Sequence, residues 1–153
     1  MALGFPLCIE LEGNNCTVFG GGTAALRRVR ELLRFGAAVT VISPALCDEL
    51  TAMSDEGRIR HIPRKYFRGD CNNSQLCVAA TDNAKVNIDI ATECKAKSIP
   101  IHVTEPAAYG NFQFPYIAVW EDMILLVGDK VSKEKLRAAL PELLRQLEED
   151  AVD

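Results

Sequence analysis

The chain has 153 residues, 48% of them hydrophobic and 25% charged, and a formal net charge of −4. This length fits one domain with a small appendage, and the composition is that of a soluble globular protein able to bury a core. The acidic balance argues against nucleic acid as a partner, because neutralising phosphates needs a basic face, and no apolar run approaches the roughly 18 residues of a membrane span.

The N-terminal "MALGFPLCIELEG" lacks the basic region and long apolar run of a signal peptide, so a cytoplasmic location is expected. Within it "LCIEL" alternates apolar and polar residues and reads as a strand, with "EGNN" as the turn after it. "CTVF" is a short buried strand running straight into Gly20, Gly21 and Gly22. From Thr23 to Phe35, Ala25, Leu26, Val29, Leu32 and Leu33 recur at helical spacing, and Gly36 supplies the left-handed residue expected past a helix end. "AVTVI" is a β-branched strand ended by Ser43-Pro44, completing a β-α-β unit of about 30 residues.

The alternation continues. "PALCDELTAMSDEG" predicts a short helix closed by Gly57, "RIRHI" a strand, and "LCVAA" a buried strand. "TDNAKVNIDIATECKAK" predicts a helix capped by Thr81, Asp82 or Asn83, and "IPIHV" a further strand. Strands alternating with helices imply an α/β fold, a parallel sheet with helices on both faces. After Val103 the pattern changes. "FQFPYIAVW" and "MILLVGD" read as two strands joined at "ED", followed by an amphipathic stretch from Ser132 to Glu149. Pro141 should kink that helix or start a second one. With no strand after it, this tail needs another surface for its apolar face, and a second subunit is the obvious candidate.

Gly20-x-Gly22-x-x-Ala25 fits a dinucleotide fingerprint with alanine in the permitted last place. Gly20 allows the tight turn, Gly22 lets backbone approach a pyrophosphate, and Ala25 lets the helix pack close to the strand. The helix N-terminus then offers N–H groups and partial positive charge to phosphates. A plain β-α turn would use the same glycines, but strand before, helix after and a second strand at the right distance favour nucleotide binding in a Rossmann-like sheet. At the end of the second strand Ser43 stands where an acidic residue often binds ribose, and its hydroxyl can make one such bond. The segment Pro44 to Glu49 brings Asp48 and Glu49 and no cation, which favours NAD over NADP.

Cys8, Cys16, Cys47, Cys71, Cys77 and Cys94 include no C-x-x-C pair, and Cys16 and Cys77 sit in strand-like runs as small buried hydrophobes, so no metal site is expected. Arg58, Arg60, Arg64, Lys65 and Arg68 make a basic span that could steer a polycarboxylate or form a solvated edge. His102 could relay a proton or bind metal, yet alternation along "IPIHV" favours burial beside the sheet. Tyr109 and Phe112 could stack on a substrate ring or pack a dimer.

Taken together, "VFGGGTAALRRVRELLRFGAAVTVISP", "PRKYFRGD", "CVAATDNAKVN" and "FQFPYIAV" resemble, in that order, the siroheme synthase dehydrogenase domain or precorrin-2 dehydrogenase family, over about residues 5 to 127. "PRKYFRGD" is similar to that family's R-x-Y-x-x-x-D segment. The resemblance implies a Rossmann domain, a strand-rich dimerisation region and a helical domain. It also implies transfer of a hydride from precorrin-2 to NAD, giving sirohydrochlorin, with iron insertion in some members. Carried over, Gly20, Gly22, Thr23, Ala24 and Ala25 would meet the pyrophosphate and Ser43 the adenosine ribose. Ala80, Thr81 and Asp82 would lie against the nicotinamide half. The family's key aspartate is replaced by Glu105, which keeps the carboxylate one methylene further out.

Two departures stand out. "GDKVSKEK" replaces a serine- and glycine-rich loop at the family's active-site mouth, and the chain ends at Asp153, before the helical domain is complete. The resulting expectation is a dinucleotide-binding domain over residues 1–110 and dimerisation strands with a C-terminal helix over 111–153. It would be a homodimeric, NAD-dependent precorrin-2 dehydrogenase without efficient iron chelation. The alternative is a non-catalytic NAD- or tetrapyrrole-binding protein.

Overall fold

The computed structural model describes residues 5–120, 123–127 and 131–150. The chain divides into two units, Met1–Gln113 and Phe114–Asp153. In the first, β1 (Asn15–Phe19), α1 (Thr23–Arg34), β2 (Ala38–Ile42), α2 (Asp48–Asp55) and β3 (Arg60–Ile62) run in order, followed by β4 (Leu76–Ala79), α3 (Ala84–Ala96) and β5 (Ile101–Val103). The five strands are parallel in the order β3-β2-β1-β4-β5. This is the Rossmann-like sheet. Because the chain winds outward from β1 through β2 and β3 and then returns to β4, the strand order reverses between β1 and β4. A crevice opens there beyond the strand C-termini.

Strand pleating sends alternate residues to opposite faces. Phe19, Cys77, Ala79, Ile101 and Val103 pack with Ile90, Ala91 and Cys94 of α3. The alternate set, including Val18, Val41 and Val78, lies on the other face, where α1 buries Ala25, Leu26, Val29 and Leu32. His102 is in register with Val78 on that second face and is 8% exposed. It is a core histidine. Burial, reinforced by the Arg28 and Arg27 cations, depresses its pKa to about 4, against a favourable contact with the Phe112 carbonyl.

Helix ends follow the local chemistry. Gly36 at φ 75° and Gly57 at φ 72° take the left-handed conformation just past α1 and α2. Of the three candidate caps for α3, Asn83 holds the place, its side chain accepting from the Val86 N–H at 3.1 Å. One strand expectation fails. Residues 5–11 carry no strand, and Phe5, Leu7 and Ile9 are exposed, because alternation alone cannot make a strand without an edge to pair with.

The second unit holds an antiparallel pair, β6 (Tyr116–Trp120) and β7 (Met123–Val127), and α4 (Lys133–Asp150). Glu121 and Asp122, expected as the turn, lie outside the described residues, as do Gly128, Asp129 and Lys130 of the charged loop. Pro141 neither ends α4 nor starts a second helix. It is exposed, so water can serve the carbonyl that its missing N–H leaves unbonded.

Candidate functional site

The crevice at the C-terminal edge of the sheet is a cavity of about 1000 Å³. Its floor is the turn from β1 into α1. Gly20 has φ 114°, and a Cβ there would come within 2.2 Å of the Ala80 carbonyl oxygen. Gly21 is equally constrained, since a Cβ would lie 1.9 Å from the Ala45 carbonyl oxygen. Both glycines let three loops close on one another. Gly22 is different: a Cβ built on it meets nothing within 4 Å. The space above it is open.

Gly22 is also the N-cap of α1, with no side-chain cap and no acidic residue in the first turn. The first intrahelical bond shown runs from the Leu26 N–H to the Gly22 carbonyl at 2.9 Å. The N–H groups of the first turn therefore face the cavity as anion donors, with the helix dipole behind them. Thr23 and Ala24 line the cavity beside them. Ala25 does not. It is fully buried, packing α1 onto the sheet, so its role is spacing rather than contact with a pyrophosphate.

Ser43 lines the opposite wall, 7% exposed. Its hydroxyl donates to the Ala45 carbonyl at 2.7 Å, and its own carbonyl lies 2.9 Å from His61 Nε2. The serine thus shapes the turn after β2, and a lone pair on its oxygen remains for a ribose hydroxyl. Lys65 joins this lining from the loop after β3. It is the one cation among the described lining residues, and adjacency in sequence to Ser43 gave no sign of it.

The third wall is β4's end. Ala80, Thr81 and Asp82 line it together with Asn83, Val86, Thr104 and Glu105. Asn87, fully buried in α3, organises this wall. Its Oδ1 accepts from the Thr81 N–H at 3.1 Å and the Thr81 hydroxyl at 2.6 Å. Its Nδ2 donates to the Thr81 carbonyl at 3.0 Å and the Glu105 carbonyl at 2.8 Å. All of this amide's hydrogen-bonding capacity is used. Thr81 and Glu105, 24 positions apart in sequence, are held by one side chain. A polar residue on the buried face of a helix, within the "AKVN" segment, was the available signal, and sequence reasoning passed over it. The Glu105 residue itself is exposed at the cavity mouth.

The R-x-Y-x-x-x-D segment proves to be scaffolding for the loop between β3 and β4. Arg64 grips Asp70 through two bonds of 2.7 and 2.8 Å, and the Phe67 N–H donates to the same carboxylate at 2.7 Å. The guanidinium holds the Asp70 carboxyl below its ordinary range. Tyr66 packs edge-on against Phe19 and donates to Glu93, which also accepts from the Gly69 N–H and pairs with Lys97. Burial opposes Glu93 ionisation, yet these donors keep its carboxyl below the usual value. Of the basic span, Arg64 is therefore structural and Lys65 faces the cavity. Tyr109 is exposed, while Phe112 lies tilted against His102 at 5.9 Å.

A family model described as "Putative NAD(P)-binding" matches residues 7–116. The chain belongs to this family. Its curated relatives include siroheme synthases. It is 32% identical over 144 residues to the siroheme synthase of Chromobacterium violaceum, covering 92% of this chain and 31% of that protein. It is 38% identical over 111 residues to that of Thioalkalivibrio sulfidiphilus, covering 72% and 23%. The solved structure of SirC, precorrin-2 dehydrogenase, aligns with a TM-score of 0.69 and 26% identity over 94% of this chain and 70% of that one. The chain spans about a quarter to a third of the length of the curated siroheme synthases it matches. A nicotinamide cofactor is the ligand class of this NAD(P)-binding domain.

Proposed function

We propose that this chain is an NAD-dependent dehydrogenase that converts precorrin-2, a reduced tetrapyrrole, to sirohydrochlorin, and that it acts as a homodimer. The observation that carries the reading is one cavity in which the open Gly22 at an uncapped helix N-terminus faces a wall where Asn87 holds Thr81 and Glu105. The residues present fit a dinucleotide. The first-turn N–H groups of α1 would take the pyrophosphate, Ser43 and Lys65 would flank the adenosine ribose, and Ala80, Thr81 and Asp82 would bound the nicotinamide half. When bound, the cofactor supplies a hydride acceptor.

The chain's own contribution is placement and proton removal. Loss of a hydride leaves a cationic macrocycle that becomes sirohydrochlorin by releasing a proton. Glu105, at the mouth with its backbone anchored by Asn87, is the base that takes it. Such a base is worth about a hundredfold to ten-thousandfold in rate. Efficient iron insertion is not part of this proposal.

Purified protein mixed with precorrin-2 and NAD should give matched growth of NADH and sirohydrochlorin absorbance. Glu105→Gln should lose most of that rate while keeping the rise in melting temperature that NAD produces by mass action. Protein that binds NAD and yields no sirohydrochlorin would instead be a binding protein. NAD should shift the melt more than NADP. The reverse order, abolished by Lys65→Glu, would reassign the cofactor.

A further inference from the structure

Outside the cavity, three cysteines that are far apart in sequence meet under α3. Cys71 comes from the loop after β3, Cys77 from β4 and Cys94 from α3, and all three are fully buried. Their sulfur atoms lie within 4.8 Å of one another, with Cys71 and Cys94 in contact at 3.2 Å. We propose that Cys71, Cys77 and Cys94 form a three-sulfur site for a single thiophilic metal ion, copper(I) being the ion the geometry fits best.

Three sulfurs around an ion with metal–sulfur bonds of about 2.3 Å sit about 4 Å apart in a trigonal arrangement. One observed separation, 3.2 Å, lies below that value and all lie within 4.8 Å, so small side-chain rotations complete the site. Strand and helix backbones hold two of the ligands, and the third rides on a loop pinned by Arg64–Asp70 and by Glu93. Phe19, Ala79, Ile90, Ala91 and Ile101 belong to the same cluster, with the Ser74 side chain hydrogen-bonded to Cys77. A buried pocket whose three cysteine ligands are all sulfur favours copper(I), which needs no fourth ligand, over zinc(II), which takes four. Each sulfur that ligates as thiolate releases a proton, so loading weakens as pH falls. The bound ion would tie the loop that supplies Lys65 and Tyr66 to the cavity wall onto α3 and β4.

Small hydrophobic packing is the competing role for buried cysteines, and the test separates the two. The full chain is loaded anaerobically with copper(I), both by addition to folded protein and by refolding in its presence, so slow entry cannot imitate absence. Excess chromophoric copper(I) chelator then competes for the ion. One equivalent should stay with the wild type, raise its melting temperature and release protons on loading. Cys77→Val and Cys94→Ala, with folds checked by circular dichroism, should retain no ion and show no copper-dependent melting shift. The double variant Cys8→Ser/Cys47→Ser should behave as wild type. Failure of refolded wild type to hold copper, or equal retention by Cys77→Val, would overturn the site and leave three core thiols. Preferential loading of zinc(II) at the same thiols would overturn the choice of ion.

Discussion

Phe19, Leu32, Leu50, Ile90 and Ile101 of the first unit are fully buried, whereas Leu125 and Leu126 of β7 and Leu140, Leu143 and Leu144 of α4 stay 39–54% exposed. The first unit closes its core by covering a parallel sheet on both faces, as parallel sheets require. The second has a two-stranded hairpin, which is marginal in water without a further surface, and a helix that presents leucines at helical spacing. Self-sufficiency in one region and unspent apolar surface in the other is what a dinucleotide domain carrying an assembly element would show. A two-fold pairing buries the same patch twice, which is the physical ground for the proposed homodimer.

The comparison can be broken most forcefully at Gly20. An alanine there meets the Ala80 carbonyl and must adopt φ 114°, so Gly20→Ala should cost about 3 kcal/mol from overpacking and backbone strain together. Urea melts should show the loss, and NAD should restore little of it. Gly22→Ala, with open space, should by contrast melt close to wild type while losing the NAD shift. A first unit indifferent to Gly20→Ala would show that the three loops do not close as tightly as described.

Acid should act mainly on the first unit as well. His102 has a folded pKa of about 4 against an ordinary 6.5, so the unfolded chain binds the proton first as pH falls. Its contribution is fully present above about 6.5 and is lost progressively down to about 4, on the order of 3 kcal/mol in total. Asp70 and Glu93, with depressed values, push in the same direction at lower pH. Chemical denaturation from pH 7 to pH 4 should therefore show falling stability, and His102→Leu should flatten the upper part of that slope. An unchanged slope in the variant would remove the histidine from the account.

Asn83→Ala, which deletes the cap of α3, should cost about 1 kcal/mol. The smallest effect on the first unit is expected from Leu140→Asp/Leu143→Asp. Its melting should move by no more than about 0.5 kcal/mol, the usual range for surface substitutions, while light scattering reports monomer in place of dimer. A wild type that scatters as a monomer at high micromolar concentration would end the assembly reading.

Much of the first unit was legible because its signals are local. The β-branched run 38–42, the periodic leucines of α1 and the left-handed Gly36 each announce themselves within a few residues. Gly20 and Gly22 were legible for the same reason, although the structure divides their work. Gly20 serves the fold while Gly22 borders open space, and Gly21, given no separate role by the sequence, matters to the fold as much as Gly20. A misreading came where a local pattern depends on a distant partner: "LCIEL" alternates but pairs with no edge.

The sequence by itself determined the strand–glycine–helix unit, the alternation that makes the sheet parallel, and the carboxylate at position 105. Periodicity and turn chemistry act over one helix turn or one strand and need no knowledge of the rest of the chain. Tertiary structure decided what meets at the cavity and beneath it. The order β3-β2-β1-β4-β5 brings the loop after β3 across to α3, carrying Lys65 to the cavity wall and Cys71 to Cys94. The same order lets Asn87 bond both Thr81 and Glu105. Such contacts arise from how strands are shuffled in space, and spacing along the chain does not encode them.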